Sequence, residues 1–201
     1  MSRREYFKVV LLGDRSTGKT CLMKRYFFNE FNESESMTIG AAFESKVFDV
    51  DGKEFQMGVW DTTGEEKYQS ICTLYYRGAS AAILCHDVSL SSSFHKLNYW
   101  MNELRKVVPD CRLYVCATKA DLLERYEPSP KLSFARSYAV ENGAKYFLTS
   151  SKSGLNVDKL FDEVLEDYVA EQQNTPKSTG TIRLPRNIRE SQRRAKKCCP
   201  S

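Results

Sequence analysis

The chain has 201 residues, 41% of them hydrophobic, and a net charge of +4, which fits one α/β domain followed by a tail. Its apolar runs are too short to cross a bilayer, and its first ten residues lack the features of a secretory signal peptide. The charge is uneven: residues 177–201 hold eight basic residues and one acidic residue, a net +7, which leaves −3 for residues 1–176. This asymmetry predicts an anionic partner for the tail.

The first predicted strand is the apolar run 9–12, and it leads directly into a glycine-rich turn. Residues 13–20 have the pattern Gly-x-x-x-x-Gly-Lys-Thr, and a helical stretch, 21–28, follows. Strand, turn and helix in this order are typical of a phosphate-binding loop. Gly13 and Gly18 let the backbone approach an anion, and the helix N-terminus adds partial positive charge. Lys19 would then reach the outer phosphates, and the Thr20 hydroxyl would bind Mg²⁺.

The rest of the chain alternates between strands and helices. A polar loop, 29–37, contains Phe31, and a mixed, partly helical segment spans 65–76. An Asp51-Gly52 turn predicts a hairpin between two of the strands. The predicted strands are 42–50, 53–60, 81–85, 113–117 and 146–149, and the predicted helices are 91–108 (with serines as N-cap), 132–142 and 157–171. We predict a folded domain over 1–175 and a disordered basic tail over 176–201.

This alternation predicts a six-stranded, mostly parallel sheet with one antiparallel edge strand and helices on both faces. Ligands of such sheets bind at the carboxyl ends of the strands. Four polar segments are expected there: 13–20, 61–64, 118–121 and 150–152. Their convergence is stronger evidence for a site than any single segment.

Three residues near this edge would act on a terminal phosphate or its metal ion. Asp61 ends an apolar strand, where a carboxylate can hold Mg²⁺ through water. Thr38 would add a further Mg²⁺ ligand, and Gly64 would offer its N–H to the phosphate. An ordinary Asp-Thr-Thr-Gly turn and an ordinary loop threonine are the alternatives.

The cysteines and histidines predict neither a disulfide framework nor a metal centre. Five cysteines are scattered, and the only histidines, His86 and His95, are not at metal-ligand spacing from them. We expect reduced, mostly buried thiols of a cytosolic protein, and no catalytic role for either histidine. The scattered cysteines are Cys21, Cys72, Cys85, Cys111 and Cys116.

Several motifs together resemble those of the Ras-superfamily small GTPases, and among them the Rab family. The motifs are Thr-Ile-Gly-Ala-Ala-Phe at 38–43, Trp-Asp-Thr at 60–62, Tyr-Tyr-Arg-Gly-Ala at 75–79 and the terminal pair Cys198-Cys199. The resemblance covers residues 7–168 and the last four residues. Within the family, the chain is most similar to an atypical Rab with an altered catalytic position. The resemblance implies the P-loop NTPase fold of small GTPases.

The resemblance also implies how GTP or GDP would be bound. Lys119 would pack its stem on guanine, Asp121 would accept the two base N–H groups, and the Ser151 N–H would face O6. Lys152 would pack nearby, and Phe31 would stack edgewise on the base. The full predicted nucleotide set is Gly13, Arg15, Ser16, Thr17, Gly18, Lys19, Thr20, Cys21, Phe31, Thr38, Gly64, Thr118, Lys119, Asp121, Ser150, Ser151 and Lys152.

Three departures from the family pattern concern catalysis and nucleotide retention. Glu65 stands where the family has a glutamine that orients water, so we expect slow GTP hydrolysis assisted by Lys19, Gly64 and Thr38. Thr118 replaces an asparagine, which predicts weaker nucleotide retention. Arg15 is bulky and cationic near the γ-phosphate: it would either block or partly replace the arginine of a GTPase-activating protein. A non-hydrolysing GTP-binding scaffold is the alternative function, and a P-loop kinase ranks last.

The resemblance further implies partners and a membrane location. GTP would order segments 29–43 and 64–77. Effectors would bind Ile39, Gly40 and an aromatic patch of Phe43, Trp60 and Tyr75. Burial in the core is the alternative for these three rings. An exchange factor, a TBC-type activating protein, a GDP-dissociation inhibitor and an escort protein are expected.

The tail would attach the chain to the cytosolic face of intracellular membranes. Geranylgeranyl groups are expected on Cys198, Cys199 or both, with farnesyl on Cys198 as the alternative. Two lipid chains anchor stably, and basic residues add attraction to an anionic leaflet. An unmodified tail that binds nucleic acid is the competing interpretation; we expect no nucleic acid. Vesicle traffic, with a role in autophagy, is the implied process.

Overall fold

The computed structural model describes residues 4–64 and 74–174. Its six strands form one sheet in the order β2-β3-β1-β4-β5-β6, in which only the β2–β3 pair is antiparallel. The prediction of a mostly parallel sheet with one antiparallel edge strand is therefore confirmed. The strands are β1 (Glu5–Leu12), β2 (Ala41–Val50), β3 (Lys53–Thr62), β4 (Ala81–Asp87), β5 (Arg112–Thr118) and β6 (Lys145–Leu148).

The helices cover both faces of the sheet, as predicted. They are α1 (Lys19–Phe28), α2 (Ser91–His95), α3 (Leu97–Val107), α4 (Leu132–Glu141) and α5 (Val157–Asn174), with a 3₁₀ helix at Ala120–Glu124. None of the helices within 4–64 and 74–174 is both long and apolar enough to cross a membrane. Most of the segment 65–76 and the tail from 175 lie outside the described residues.

The prediction of a single helix over 91–108 with a serine N-cap is wrong. The helix is divided at Lys96 into α2 and α3. The residue at the cap position is Leu90, and no side chain caps the helix. Ser93 is instead buried inside α2, where its hydroxyl donates to the Leu90 carbonyl and accepts from the Asp87 N–H. The serine thus ties the helix start to the end of β4.

Two apolar cores lie on opposite faces of the sheet because side chains alternate along each strand. In β1, Val9 and Leu11 face a core built with α1 and α5. Val10 and Leu12 face the other core, which contains the apolar residues of α2, α3 and α4. Burial of both faces explains why the central strands are continuous apolar runs rather than alternating ones.

The thiols agree with the expectation from sequence where the structure describes them. Cys85, Cys111 and Cys116 are buried, Cys21 is half-buried, and none of the four is in a disulfide. Cys72 lies outside the described residues. Burial raises the pKa of the Cys111 thiol to about 12, so this thiol stays protonated at neutral pH.

Candidate functional site

A cavity of about 470 Å³ opens at the carboxyl edge of the parallel strands. This volume is in the range of small-molecule and cofactor sites. The loop after β1, the segment between α1 and β2, the end of β3 and the loops after β5 and β6 all contribute to its walls. The four segments predicted to converge at this edge therefore do converge.

The loop between β1 and α1 has the backbone geometry that its glycines predict. Gly13 has φ 144°, and a Cβ there would lie only 2.3 Å from the Cys85 carbonyl oxygen of β4. The Lys19 ammonium curls back over the loop and donates to the carbonyls of Gly13 and Asp14, each at 2.9 Å. The loop thus surrounds a buried cation at the start of α1, an arrangement that favours an anion.

Gly64 closes this end of the cavity because its backbone lies directly against the loop after β1. A Cβ on Gly64 would lie 2.4 Å from the Arg15 nitrogen and 2.5 Å from the Asp14 carbonyl carbon. Both contacts are with backbone atoms, which cannot move aside as a flexible side chain can. Any residue larger than glycine would therefore separate the two segments.

Three side-chain oxygens meet beside Lys19. The Thr20 hydroxyl donates to Asp61 Oδ2 at 2.7 Å, and the Thr38 hydroxyl lies 3.1 Å from the same oxygen and 2.8 Å from the Thr20 hydroxyl. Asp61 is fully buried, and burial raises its pKa against the opposing effects of Thr20 and Lys19. Its Oδ1 has no hydrogen-bond partner among the described residues. A buried carboxylate oxygen beside two hydroxyls fits a hard divalent cation such as Mg²⁺.

Most of the coordination of such a metal ion would have to come from a bound phosphate compound and water, because few protein groups at the site can bind it. The described ranges contain no group of three or more His, Cys, Asp or Glu residues that could hold a metal. Mg²⁺ commonly binds through one or two carboxylates together with substrate phosphates and water. One carboxylate and two hydroxyls next to an anion-binding loop match that pattern.

The opposite end of the cavity is built from the loops after β5 and β6. Lys119 has φ 60°, and its ammonium forms a 2.7 Å ion pair with Asp87 at the end of β4. Burial alone would raise the pKa of Asp87, but Lys119 and Ser89 donate to its carboxylate and lower it. Asp121 accepts a hydrogen bond from the Ser150 hydroxyl. The loops therefore present a lysine stem and an oriented carboxylate to the cavity.

Thr118 links the two ends of the site. Its hydroxyl lies 2.7 Å from the Thr17 carbonyl and 2.9 Å from the His86 carbonyl. A hydroxyl carries one hydrogen, so it can donate fully to only one of these two carbonyls at a time. Thr118 therefore links β5 to the phosphate-loop backbone, but its hydroxyl offers one donor where the side-chain amide of an asparagine would offer two.

Most residues of the predicted nucleotide set line the cavity, and three support it from behind. Gly13, Thr17 and Ser150 contribute through the contacts given above rather than as wall residues. Glu65 lies outside the described residues. The predicted residues in the wall are Arg15, Ser16, Gly18, Lys19, Thr20, Cys21, Phe31, Thr38, Gly64, Thr118, Lys119, Asp121, Ser151 and Lys152.

Sequence reasoning missed several wall residues from the irregular segment 29–37. Glu35 is the clearest case: it lines the cavity and forms a 2.8 Å ion pair with Lys24 of α1. No periodicity marks a loop residue that faces a ligand, so the sequence held no signal for it. The other missed wall residues are Asn32, Glu33, Ser36, Met37, Thr62 and Leu122.

The predicted aromatic patch is present beside the cavity. The ring centroids of Phe43 and Trp60 are 5.0 Å apart, and those of Trp60 and Tyr75 are 5.8 Å apart. Trp60 is half-buried rather than part of the closed core, and Phe43 is 44% exposed. Ile39, which precedes β2, is 92% exposed. This combination is an apolar surface open to a partner.

These features define a P-loop nucleotide-binding domain. They are a phosphate loop at a strand–helix junction, a cluster of side-chain oxygens suited to a metal ion, and a carboxylate at the far end of the cavity. Comparison with known proteins narrows this class. Residues 8–170 match the Ras family. The chain therefore belongs to the Ras family, and the proteins that it is similar to include several Rabs.

Three relatives illustrate the similarity. Ras-related protein Rab-24 of Dictyostelium discoideum is 36% identical over 199 residues, which cover 96% of each chain. Ras-related protein Rab5A of Oryza sativa subsp. japonica is 36% identical, over 96% of this chain and 94% of that protein. Ras-related protein Rab-21 of Mus musculus is 35% identical, over 87% and 78% respectively. Recognition of the Rab type from the sequence motifs is thus confirmed.

Proposed function

We propose that this chain is a Rab-type molecular switch that binds GTP and GDP and acts in intracellular vesicle traffic. The observation that carries the proposal is the single cavity with two chemically different ends. A buried lysine and a glycine loop occupy one end, and a lysine stem with an oriented carboxylate occupies the other. A nucleotide with a polyphosphate chain matches both ends at once.

Asp121 would select the base. Guanine presents two neighbouring N–H donors, N1–H and the 2-amino group, to one carboxylate, whereas adenine lacks this pair. The Ser150 hydroxyl, bonded to Oδ1 of Asp121, would fix the carboxylate plane for that contact. Ser151 would donate its N–H to O6, and the stem of Lys119 and the ring of Phe31 would enclose the base faces.

The polyphosphate would lie on the loop 13–20. Lys19 would exchange its present carbonyl partners for the outer phosphates, which are stronger acceptors for an ammonium. Thr20, Thr38 and Asp61 would hold Mg²⁺, which supplies charge neutralisation at the phosphates when bound. Thr38 and Gly64 would gain a partner only from the third phosphate, so the segments that contain them would respond to GTP and relax with GDP.

Glu65 would make hydrolysis slow. A glutamate brings negative charge toward a phosphate group that is already highly charged, and it cannot offer the amide donor of a glutamine. A glutamine supplied in trans by a TBC-type activating protein would restore turnover. A GTP-binding scaffold without hydrolysis is the second candidate, favoured by the same residue.

The aromatic patch of Phe43, Trp60 and Tyr75, with Ile39 and Gly40 beside it, would be the effector surface. Its rings pack against one another and leave apolar area exposed, and two of them, Phe43 and Trp60, are fixed on strands β2 and β3. An exchange factor, a GDP-dissociation inhibitor and an escort protein would bind near segments 29–43 and 64–77, which contribute residues to this patch. Prenyl groups on Cys198 and Cys199, which lie outside the described residues, would hold the chain on the cytosolic face of intracellular membranes, including those of autophagy.

Single-turnover GTP hydrolysis of the wild type and of Glu65→Gln separates the two candidates. We expect slow phosphate release by the wild type and a gain of about a hundredfold in the variant, the lower end of what one positioned catalytic group contributes. Glu141→Gln, at the exposed end of α4, is the matched control and should change nothing. If the wild type releases no phosphate even with an activating protein present, the scaffold function is supported. If Glu65→Gln hydrolyses GTP no faster than the wild type, the proposed role of Glu65 is refuted.

A further inference from the structure

Arg25, in the last turn of α1, joins two segments of the site that are far apart in sequence. Its Nε donates to the Ser151 carbonyl at 2.5 Å, and its Nη2 donates to the Lys152 carbonyl at 2.9 Å. Its Nη1 donates to the backbone carbonyl of Asn29 at 3.0 Å and to the Asn29 side-chain oxygen at 2.8 Å. One guanidinium thus makes four hydrogen bonds to three residues.

The chemistry of these contacts requires a guanidinium. Three of the four acceptors are backbone carbonyls and the fourth is the amide oxygen of Asn29, so the guanidinium places a planar set of N–H donors on neutral carbonyl oxygens and forms no ion pair in these contacts. A guanidinium offers five donors in a fixed plane, whereas a lysine ammonium offers three around one point. A lysine at this position could not reach all three residues with good geometry.

The two joined segments have different tasks in the proposed site. Ser151 and Lys152 form the loop after β6 that would face the guanine base, and Ser151 is 8% exposed. Asn29 is the C-cap of α1, in a left-handed conformation with φ 55°, and it begins the segment that leads to Thr38. Arg25 therefore connects the base end of the cavity to the start of the segment that would respond to the third phosphate.

A second contact between the same segments is much weaker. Lys152 and Glu33 form an ion pair at 3.6 Å, but their side chains are 52% and 81% exposed. Solvent-exposed ion pairs of this kind contribute little. Among the described contacts, Arg25 is the one that holds the loop after β6 to the start of the 29–38 segment with several well-formed hydrogen bonds.

We propose that Arg25 is a positioning residue for guanine recognition: it holds the backbone at Ser151–Lys152 so that the Ser151 N–H meets O6 of the base. This inference rests on the proposed function. Through Asn29, the same side chain couples base binding to the segment that carries Thr38. Loss of the guanidinium releases both segments at once, so nucleotide escapes faster.

The test compares two nucleotides that differ in the atom concerned. GDP carries O6, whereas 6-thioguanosine diphosphate has sulfur, a weaker hydrogen-bond acceptor, at that position and keeps N1–H, N2–H, ribose and phosphates. Dissociation rates of both are measured for the wild type, Arg25→Met and Arg25→Lys. We expect Arg25→Met to release GDP about tenfold faster and the analogue no more than about threefold faster, since charged hydrogen bonds of this kind are each worth about a tenfold factor. Arg25→Lys should resemble Arg25→Met.

Controls separate this inference from loss of fold and from failure of the proposed function. Arg105→Met removes an arginine whose Nη2 donates to one backbone carbonyl, that of Asn142, away from the cavity, and it should leave both rates unchanged. Equal acceleration for GDP and the analogue, or none for GDP, overturns the inference; if Arg25→Met does not fold, the same comparison on Arg25→Lys decides. A wild type that retains no GDP contradicts the proposed function instead.

Discussion

His86 makes the stability of the domain depend on pH in a way that one substitution should remove. The side chain is the penultimate one of β4, with 1% of its surface exposed, and its ring packs edge-on against Phe94 with centroids 5.1 Å apart. Neither ring nitrogen reaches a hydrogen-bond partner of normal geometry among the described residues. Burial lowers the pKa of His86 from 6.5 to about 4, with only partial opposition from the neighbouring Asp87.

The sign and size of the effect follow from proton linkage. Between pH 6.5 and pH 4 the unfolded chain binds a proton at His86 and the folded chain does not, so the free energy of unfolding decreases as the pH falls. A pKa difference of this size corresponds to about 2 to 3 kcal/mol between pH 7.5 and pH 4.5. His86→Phe keeps an aromatic ring in the same apolar position and removes the titration.

The assay is chemical denaturation at a series of pH values with saturating GDP and Mg²⁺. We compare the wild type with His86→Phe and with His95→Gln, which changes the other histidine of the chain, exposed on α2. Relative to the wild type, His86→Phe should gain about 2 to 3 kcal/mol from pH 7.5 to pH 4.5, while His95→Gln follows the wild type. A difference between wild type and His86→Phe that stays constant over this range would refute the reasoning.

Two further substitutions test the phosphate end of the site. Gly64→Ala places a Cβ against the backbone of Asp14 and Arg15. GTP affinity should therefore fall by about tenfold or more with little change in GDP affinity, as expected for loss of a strong hydrogen bond to the third phosphate. An equal loss of affinity for both nucleotides in equilibrium titration would contradict this. Thr118→Asn supplies a second donor for the Thr17 and His86 carbonyls, so GDP should dissociate about threefold to tenfold more slowly. An unchanged or faster off-rate, measured with a fluorescent GDP, would show that one hydroxyl already suffices.

The fold could be predicted from the sequence because local patterns specify most of it. The apolar runs in β1 and β4 predict buried parallel strands, and the Asp51-Gly52 turn predicts the hairpin of β2 and β3. Asp51 and Gly52 do have positive φ values, 53° and 75°, as a tight hairpin turn requires. The missing serine N-cap was not predictable, because Ser93 bonds to the end of β4, and this contact does not follow from the helical period.

The site was predictable only where a motif fixes both residue type and position. Glycines, lysine and threonine of the loop 13–20 are of that kind. Asp87 and Arg25 are not: each acts on a residue distant in sequence, Lys119 in the first case and Ser151 in the second. Such contacts depend on the order of strands in the sheet, which sequence periodicity alone does not give.

The most direct test of the account is the retention of nucleotide by purified protein, with and without the Lys19 ammonium. The wild type, with Mg²⁺ supplied, should co-purify with GDP or GTP and bind guanine nucleotides at micromolar concentration in preference to ATP. Lys19→Ala removes the buried cation of the phosphate loop and should lose that binding. Binding of ATP as tight as that of GTP, or full retention of GDP by Lys19→Ala, would contradict the central claim.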